Sequence, residues 1–339
     1  MHLNVFNRSQ NTSPEPLPLF DETFLRRIER LSYRTAPNLR GAMLGDRRSR
    51  KLRPALDFSD HRPYSSGDDL RHVDWNAFAR HQELFVKLGE TTQSVNIHIL
   101  LDRSRSMAWE SRQKVTDNVA SSSKWDGTRR LAGAMGYLAL ASGERLQIGP
   151  FAQNLDRLYG PTRGKRQVIT LLQFLTAIQP APALSSSENR GLGLAQSLAS
   201  YARANADGGL LVLISDLFDT GDETDDASDE SRWGEDLAEG LRHLSPPRWQ
   251  VVVMHLLTEQ ELDPKFKGDF DLQDVETGED LPFHLVEETL DRYRDRVRRW
   301  CAAMELACAR RGAVYSRIVA EWPLEKSVIP YLRQRGVVQ

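Results

Sequence analysis

Apolar positions along the chain fall into two kinds of run. Short, almost continuously apolar stretches rich in β-branched residues occupy 95–101, 210–215 and 249–257, and weaker strand patterns lie at 145–151 and 314–319. Between them the spacing becomes helical. Leu131, Ala134, Met135, Leu138 and Ala141 share one stripe of a helix over 124–142, stopped by Gly143. Further helices are predicted at 167–178, 192–204 and around Leu237 and Leu241. A long one over 286–311 carries Leu290, Tyr293, Val297, Trp300, Met304 and Cys308 on one stripe. Strands that are apolar on both faces and alternate with helices predict a doubly wound, mainly parallel α/β sheet covered on both sides. Residues 270–284 predict a hairpin decorating it.

Upstream the pattern is more polar. Residues 1–23, rich in Asn, Ser and Pro, predict a flexible tail. Residues 24–93 form a separate, strongly basic region. In it, Leu25, Ile28 and Leu31 predict a short amphipathic helix, 66–69 a turn, 70–80 a helix and 84–88 a strand. The α/β domain then runs over 94–320, and 321–339 forms a C-terminal tail or helix.

Composition narrows the function classes. The 339 residues hold 45 Lys+Arg and 47 Asp+Glu, a formal charge of −2, with 40% hydrophobic residues. That supports a sizeable core and argues against a dedicated nucleic-acid binder, whose domain carries a clear basic excess. No stretch reaches the roughly 18 consecutive apolar residues of a membrane span, and the N-terminus lacks a signal peptide's apolar core. The only cysteines, Cys301 and Cys308, sit on one helix about 10 Å apart along its axis, which predicts reduced thiols. A cytoplasmic protein is expected.

Ligands of such sheets bind beyond the carboxyl ends of the strands. Strand 95–101 delivers Asp102-Arg103-Ser104-Arg105-Ser106, and strand 210–215 delivers Asp216. Asp102, Ser104, Ser106 and Asp216 together form a hard oxygen set suited to Mg²⁺ or another divalent cation. A tight loop aims alternate side chains at one point, and the open coordination positions would take water or a partner's carboxylate. The alternative is that Asp102 caps the following turn and the serines satisfy loop backbone.

Two motifs resemble known families. Asp102-x-Ser104-x-Ser106-Met107 resembles the metal-ion-dependent adhesion site of von Willebrand factor A domains. The stretch Arg62-Pro63-Tyr64-x-x-Gly67-Asp68-Asp69-x-Arg71-x-x-Asp74-Trp75-x-x-x-Ala79-Arg80, with Val86-Lys87 and Glu90 after it, resembles the signature of the domain of unknown function 58 family. That resemblance implies a six-stranded, von Willebrand factor A-like sheet of order 3-2-1-4-5-6. It also implies a bacterial protein working with MoxR-type AAA+ ATPases in assembling or activating other proteins. Some members carry two N-terminal membrane helices, and this chain resembles the soluble subgroup. The chain departs from the adhesion-site pattern in three places. Residues 185–192 lack its threonine, Arg103 and Arg105 stand where small residues are common, and Asp216 is followed by Leu217-Phe218 in place of Asp-Gly.

The function expected is therefore a non-enzymatic, divalent-cation-dependent protein-binding module, its partner a MoxR-type ATPase or a client offering an Asp or Glu. The alternatives are a metal-dependent hydrolase or phosphotransfer enzyme using the same oxygens, and a structural scaffold with a degenerate metal site. The chain lacks a phosphate loop, a G-x-S-x-G elbow, H-E-x-x-H and a CxxC pair. Residues 62–80 predict a structural clasp, with Asp68, Asp69 and Asp74 paired to Arg62, Arg71 and Arg80 and with Leu70, Trp75 and Phe78 as its core anchors. The run 216–236, with ten acidic residues and Arg232, reads as a solvated loop. His98 and His255 read as satisfied core histidines.

Overall fold

In the computed structural model, the residues described are 20, 22–35, 53–54, 60–66, 73–89, 94–109, 123–152, 154–181, 193–218, 230–264, 268–273, 280–285 and 287–339. Outside them lie most of the tail, Arg40 to Lys51 of the basic run, Gly67 to Arg71 of the signature, the 185–192 loop and most of the acidic run.

The N-terminal region holds a small antiparallel sheet of β1 (Arg53–Pro54), β3 (Phe85–Gly89) and β2 (Asp60–Pro63), with β3 in the middle. The main sheet has six strands: β4 (Asn96–Asp102), β5 (Arg145–Phe151), β6 (Tyr159–Arg163), β7 (Gly209–Ser215), β8 (Trp249–Leu257) and β11 (Val314–Val319). Their order is β11-β8-β7-β4-β5-β6, all parallel except β6 against β5. Counted along the chain within this sheet, that is 3-2-1-4-5-6, so the first and fourth strands are neighbours. The reversal of strand order falls between β4 and β7, where Leu101 faces Ile214. β9 (Gly268–Gln273) and β10 (Asp280–Leu285) form the predicted hairpin.

Alternation along the central strands builds two cores. Ile97, Ile99 and Leu101, with Leu210, Val212 and Ile214, face the helices Lys124–Ala141 and Val168–Ala177. Leu100, Leu211, Leu213, Val251 and Val253 face the helices Leu194–Ala204, Glu235–Arg242 and Glu287–Arg310. Both faces are apolar because both are covered, and the aspartates are displaced to the strand ends. The same close packing constrains Gly209, at φ 150°. A Cβ there would lie 2.2 Å from the Asn96 carbonyl oxygen. Gly209→Ala is expected to lower stability by about 2–3 kcal/mol, measured by denaturant unfolding.

Three expectations need correcting. The helix expected over 70–80 begins only at Trp75: Asp74 is its N-cap, accepting from the backbone N–H groups of Asn76 and Ala77 at 2.9 and 3.1 Å. That start turns the aromatic positions outward, leaving Trp75 57% and Phe78 40% exposed, packed edge to face on each other. They are not the anchors of a clasp; Val73 and Val86, bridged across the sheet, are buried instead. Arg80 is exposed, Asp74 serves the helix start, and Arg62 donates to the Pro63 carbonyl at 3.2 Å. Second, Tyr293 of the long helix is exposed, and its buried stripe is Leu290, Cys301, Met304, Ala307 and Cys308. Third, β6 was not expected as a strand. Its sequence, YGPTR, breaks the apolar pattern because it lies at the sheet edge, where only Tyr159 is buried.

The C-terminal segment is structured, with a helix at Ile329–Gln334, and it pairs with the N-terminal region. Tyr33 bridges Val338, Ser32 and Gln339 exchange two backbone hydrogen bonds, and the Tyr33 hydroxyl donates to the Met135 carbonyl at 2.5 Å. Both cysteines are free and buried.

Candidate functional site

The site is built where β4, β7 and β8 end together. β4 delivers Asp102 and β7 delivers Ser215 and Asp216, one register step beyond the Leu101–Ile214 pair. The Ser215 hydroxyl donates to Asp102 Oδ2 at 2.5 Å, and the Ser104 backbone N–H donates to Asp102 Oδ1 at 2.8 Å. Ser104 and Ser106 place their hydroxyls 2.9 Å apart on the loop leaving β4, which closes as a 3₁₀ turn at Arg105–Ala108. The four residues singled out in the sequence are thus carried by neighbouring strand ends. Asp102 is also a turn former, as the alternative reading had it.

Asp216 is turned to a different partner. Its Oδ1 accepts from the Phe218 N–H at 3.2 Å, and its Oδ2 receives the ammonium of Lys124 at 2.8 Å. Lys124 also reaches Glu261 Oε1 at 2.7 Å. The side chains of Lys124 and Asp216 are 0% exposed. Lys124 is the first residue of the helix Lys124–Ala141, whose start is set by Ser123 accepting from the Asp126 N–H. Its own N–H donates to the Trp109 carbonyl, tying the helix start to the Asp102–Ser106 loop. Glu261 comes from just beyond β8, where it forms a capping box with Thr258. The Phe218 ring lies 5.4 Å from the Lys124 nitrogen, stacks on Trp300, and is itself 47% exposed. Leu217, between Asp216 and Phe218, sits in the left-handed region at φ 56°. This is the place where an Asp-Gly pair would turn without strain.

The charges follow the burial. Desolvation, reinforced by the Asp216 charge, pushes the Asp102 carboxyl up to about 6. Burial pulls Lys124 down, but the carboxylates of Asp216 and Glu261 outweigh it and hold the ammonium above its ordinary value. Arg103 is drawn aside by Asp156 and the Gln179 carbonyl, so its guanidinium is held by those groups. His98 and His255 are buried and neutral, each ring nitrogen Nδ1 meeting a tyrosine hydroxyl, of Tyr201 and Tyr315 respectively.

This donor set does not fit a divalent cation. A cation site needs carboxylate charge that is not already neutralised, and Asp216 is neutralised by a lysine inside the same cluster. Asp102, Ser104 and Ser106 remain grouped, but without Asp216 they offer one carboxylate. Among the described residues no three His, Cys, Asp or Glu side chains are grouped to hold a metal. Of the four residues expected to hold Mg²⁺, Asp216 is paired with Lys124, while Asp102, Ser104 and Ser106 stay grouped beside it. Sequence reasoning missed Lys124, Ser215 and Glu261. One signal was present: a lysine in a helix's first turn is disfavoured by the helix dipole and calls for a carboxylate partner.

The family described as "Protein of unknown function DUF58" matches residues 60–303. No curated protein matches the chain. Among solved structures it is similar to the conserved hypothetical protein BatB from Bacteroides thetaiotaomicron, at 15% identity over 71% of this chain and 98% of that one, with a TM-score of 0.36. It is also similar to an aerotolerance-related membrane protein from Bacteroides fragilis NCTC 9343, at 17% identity over 72% and 98% of the two chains, TM-score 0.33. The PilB minor pilin from Streptococcus sanguinis is similar at 11% identity over 75% and 64%, TM-score 0.37. Among the described residues no helix is long and apolar enough to cross a membrane.

Proposed function

Because the chain belongs to the DUF58 family, matched over well over half its length, we propose that it is a von Willebrand factor A-like, non-enzymatic protein-binding module. Its binding surface is the carboxyl-end face of the six-stranded sheet, and its partner is an AAA+ ATPase of the MoxR type acting in protein assembly or activation in the cytoplasm. The observation that carries this reading is the mutual engagement of the charged groups there. Asp102, Lys124, Asp216 and Glu261 each hold another protein group, so the charged groups of the cluster are engaged inside the fold. What faces outward around them is half-buried Ser104, Arg105 and Ser106 and the exposed Phe218 ring. A buried charged frame beneath a rim of hydroxyls, a guanidinium and an aromatic ring suits recognition of a protein surface. The scaffold alternative draws support from the lysine on Asp216.

Affinity capture from native lysate tests the reading, with the wild type set against Ser104→Arg and Phe218→Glu, both at partly exposed positions. An AAA+ ATPase is expected with the wild type, retained in EDTA, and reduced at least tenfold by either substitution. Recovery of the same proteins by all three would remove the strand-end face as the binding surface.

A further inference from the structure

We infer that the ammonium of Lys124 takes the place of a divalent cation at the strand-end cluster, so that the positive charge there is part of the chain and the site is metal-independent. Three observations carry this. Lys124 enters from the helix that follows the Asp102–Ser106 loop and bridges carboxylates delivered by two other strand ends, Asp216 after β7 and Glu261 after β8. A bound cation would perform the same bridging, and it is done here by a side chain with no exposure to solvent. The position is also one that intrinsic preference opposes. The first turn of a helix presents its positive pole, where a lysine is disfavoured unless carboxylates compensate it. Two do so here, and the Phe218 ring covers the nitrogen at 5.4 Å. Finally, the pieces of an oxygen site persist beside it. Asp102, held by Ser215 and by the Ser104 N–H, stands with the paired hydroxyls of Ser104 and Ser106, close enough to Asp216 to feel its charge. Removing the ammonium would leave the Asp216 and Glu261 oxygens that now hold it, at 2.8 and 2.7 Å, uncompensated around one enclosed point, which is an environment that recruits a cation.

The inference concerns the cluster and does not rest on the identity of any partner, so its test can fail or succeed independently of affinity capture. The full chain is melted in EDTA and in millimolar Mg²⁺, Ca²⁺ and Mn²⁺, and Mn²⁺ binding is titrated directly. The wild-type melting temperature is expected to stay within about 1 °C across these conditions, with no stoichiometric Mn²⁺ bound. Lys124→Ala is expected to melt lower in EDTA and to recover by roughly 3–5 °C at saturating divalent ion, a recovery abolished by adding Asp216→Asn. One equivalent of Mn²⁺ on the wild type, lost in Asp102→Asn, would overturn the inference. So would a Lys124→Ala protein whose melting ignores every ion, because the lysine would then be an ordinary internal ion pair. If Lys124→Ala does not fold, Lys124→Gln carries the same comparison, and the wild-type Mn²⁺ titration decides by itself.

Discussion

Asp216→Ala is expected to lower the free energy of unfolding by about 3–5 kcal/mol, the cost of stranding one partner of a fully buried ion pair. Lys124 would keep only Glu261, whose side chain is 16% exposed, and its ammonium would have lost the more deeply enclosed of its two carboxylates. A smaller gain opposes this, since Asp102 would no longer sit beside a like charge. Urea unfolding of the single variant measures the loss, and the double variant Lys124→Met/Asp216→Leu supplies the control. Removing both charges together is expected to recover part of the stability, because an apolar pair of similar volume is about as stable in a buried site, while Glu261, 16% exposed, still loses its cation. A single variant within about 1 kcal/mol of the wild type would mean that water reaches the pair and screens it.

The second large effect is a loss of stability in acid. His98 and His255 are neutral in the fold, burial holding them at about 4 and about 3, whereas in the unfolded chain each titrates near 6.5. Below about pH 6.5 the unfolded chain therefore takes up protons that the native state refuses. Stability is expected to fall steadily from there to about pH 4 for His98 and about pH 3 for His255, by about 3–5 kcal/mol for each. Asp102 runs the other way. Its native carboxyl titrates at about 6 and its unfolded one near 3.8, so protonation between those values favours the fold and offsets part of the loss. Urea midpoints followed from pH 7 to pH 4 should fall in the wild type and be flatter in His98→Gln/His255→Gln. A wild-type midpoint that stays level over that range would show that the two rings take up protons in place.

These expectations rest on features that were unequally visible in the chain. β5, β8 and β11 have the same ends in the structure as in the apolar pattern, and the helix from Lys124 ends one residue earlier than expected. Long, fully covered elements leave an unbroken periodic record. Edge and boundary elements leave a weaker one, as the misplaced start of the Trp75–His81 helix shows. Ser66, Asp68, Asp69 and Asp74 are all side chains able to cap a helix, and only the hydrogen bonds to Asn76 and Ala77 pick out Asp74.

From sequence alone it followed that this chain builds a two-faced parallel sheet, and that two of its buried strands end in aspartates followed by hydroxyl-bearing or hydrophobic turns. Those properties are written in runs of neighbouring residues, since burial on both faces forces a continuous apolar pattern and forces charge to its ends. Only the tertiary structure decided what answers the charge of Asp216. The lysine that does so lies 92 positions away, and the glutamate that shares it lies 137 positions beyond the lysine. An ion pair between remote segments leaves no periodicity behind, so the difference between an expected metal and a lysine became visible only once three strand ends met.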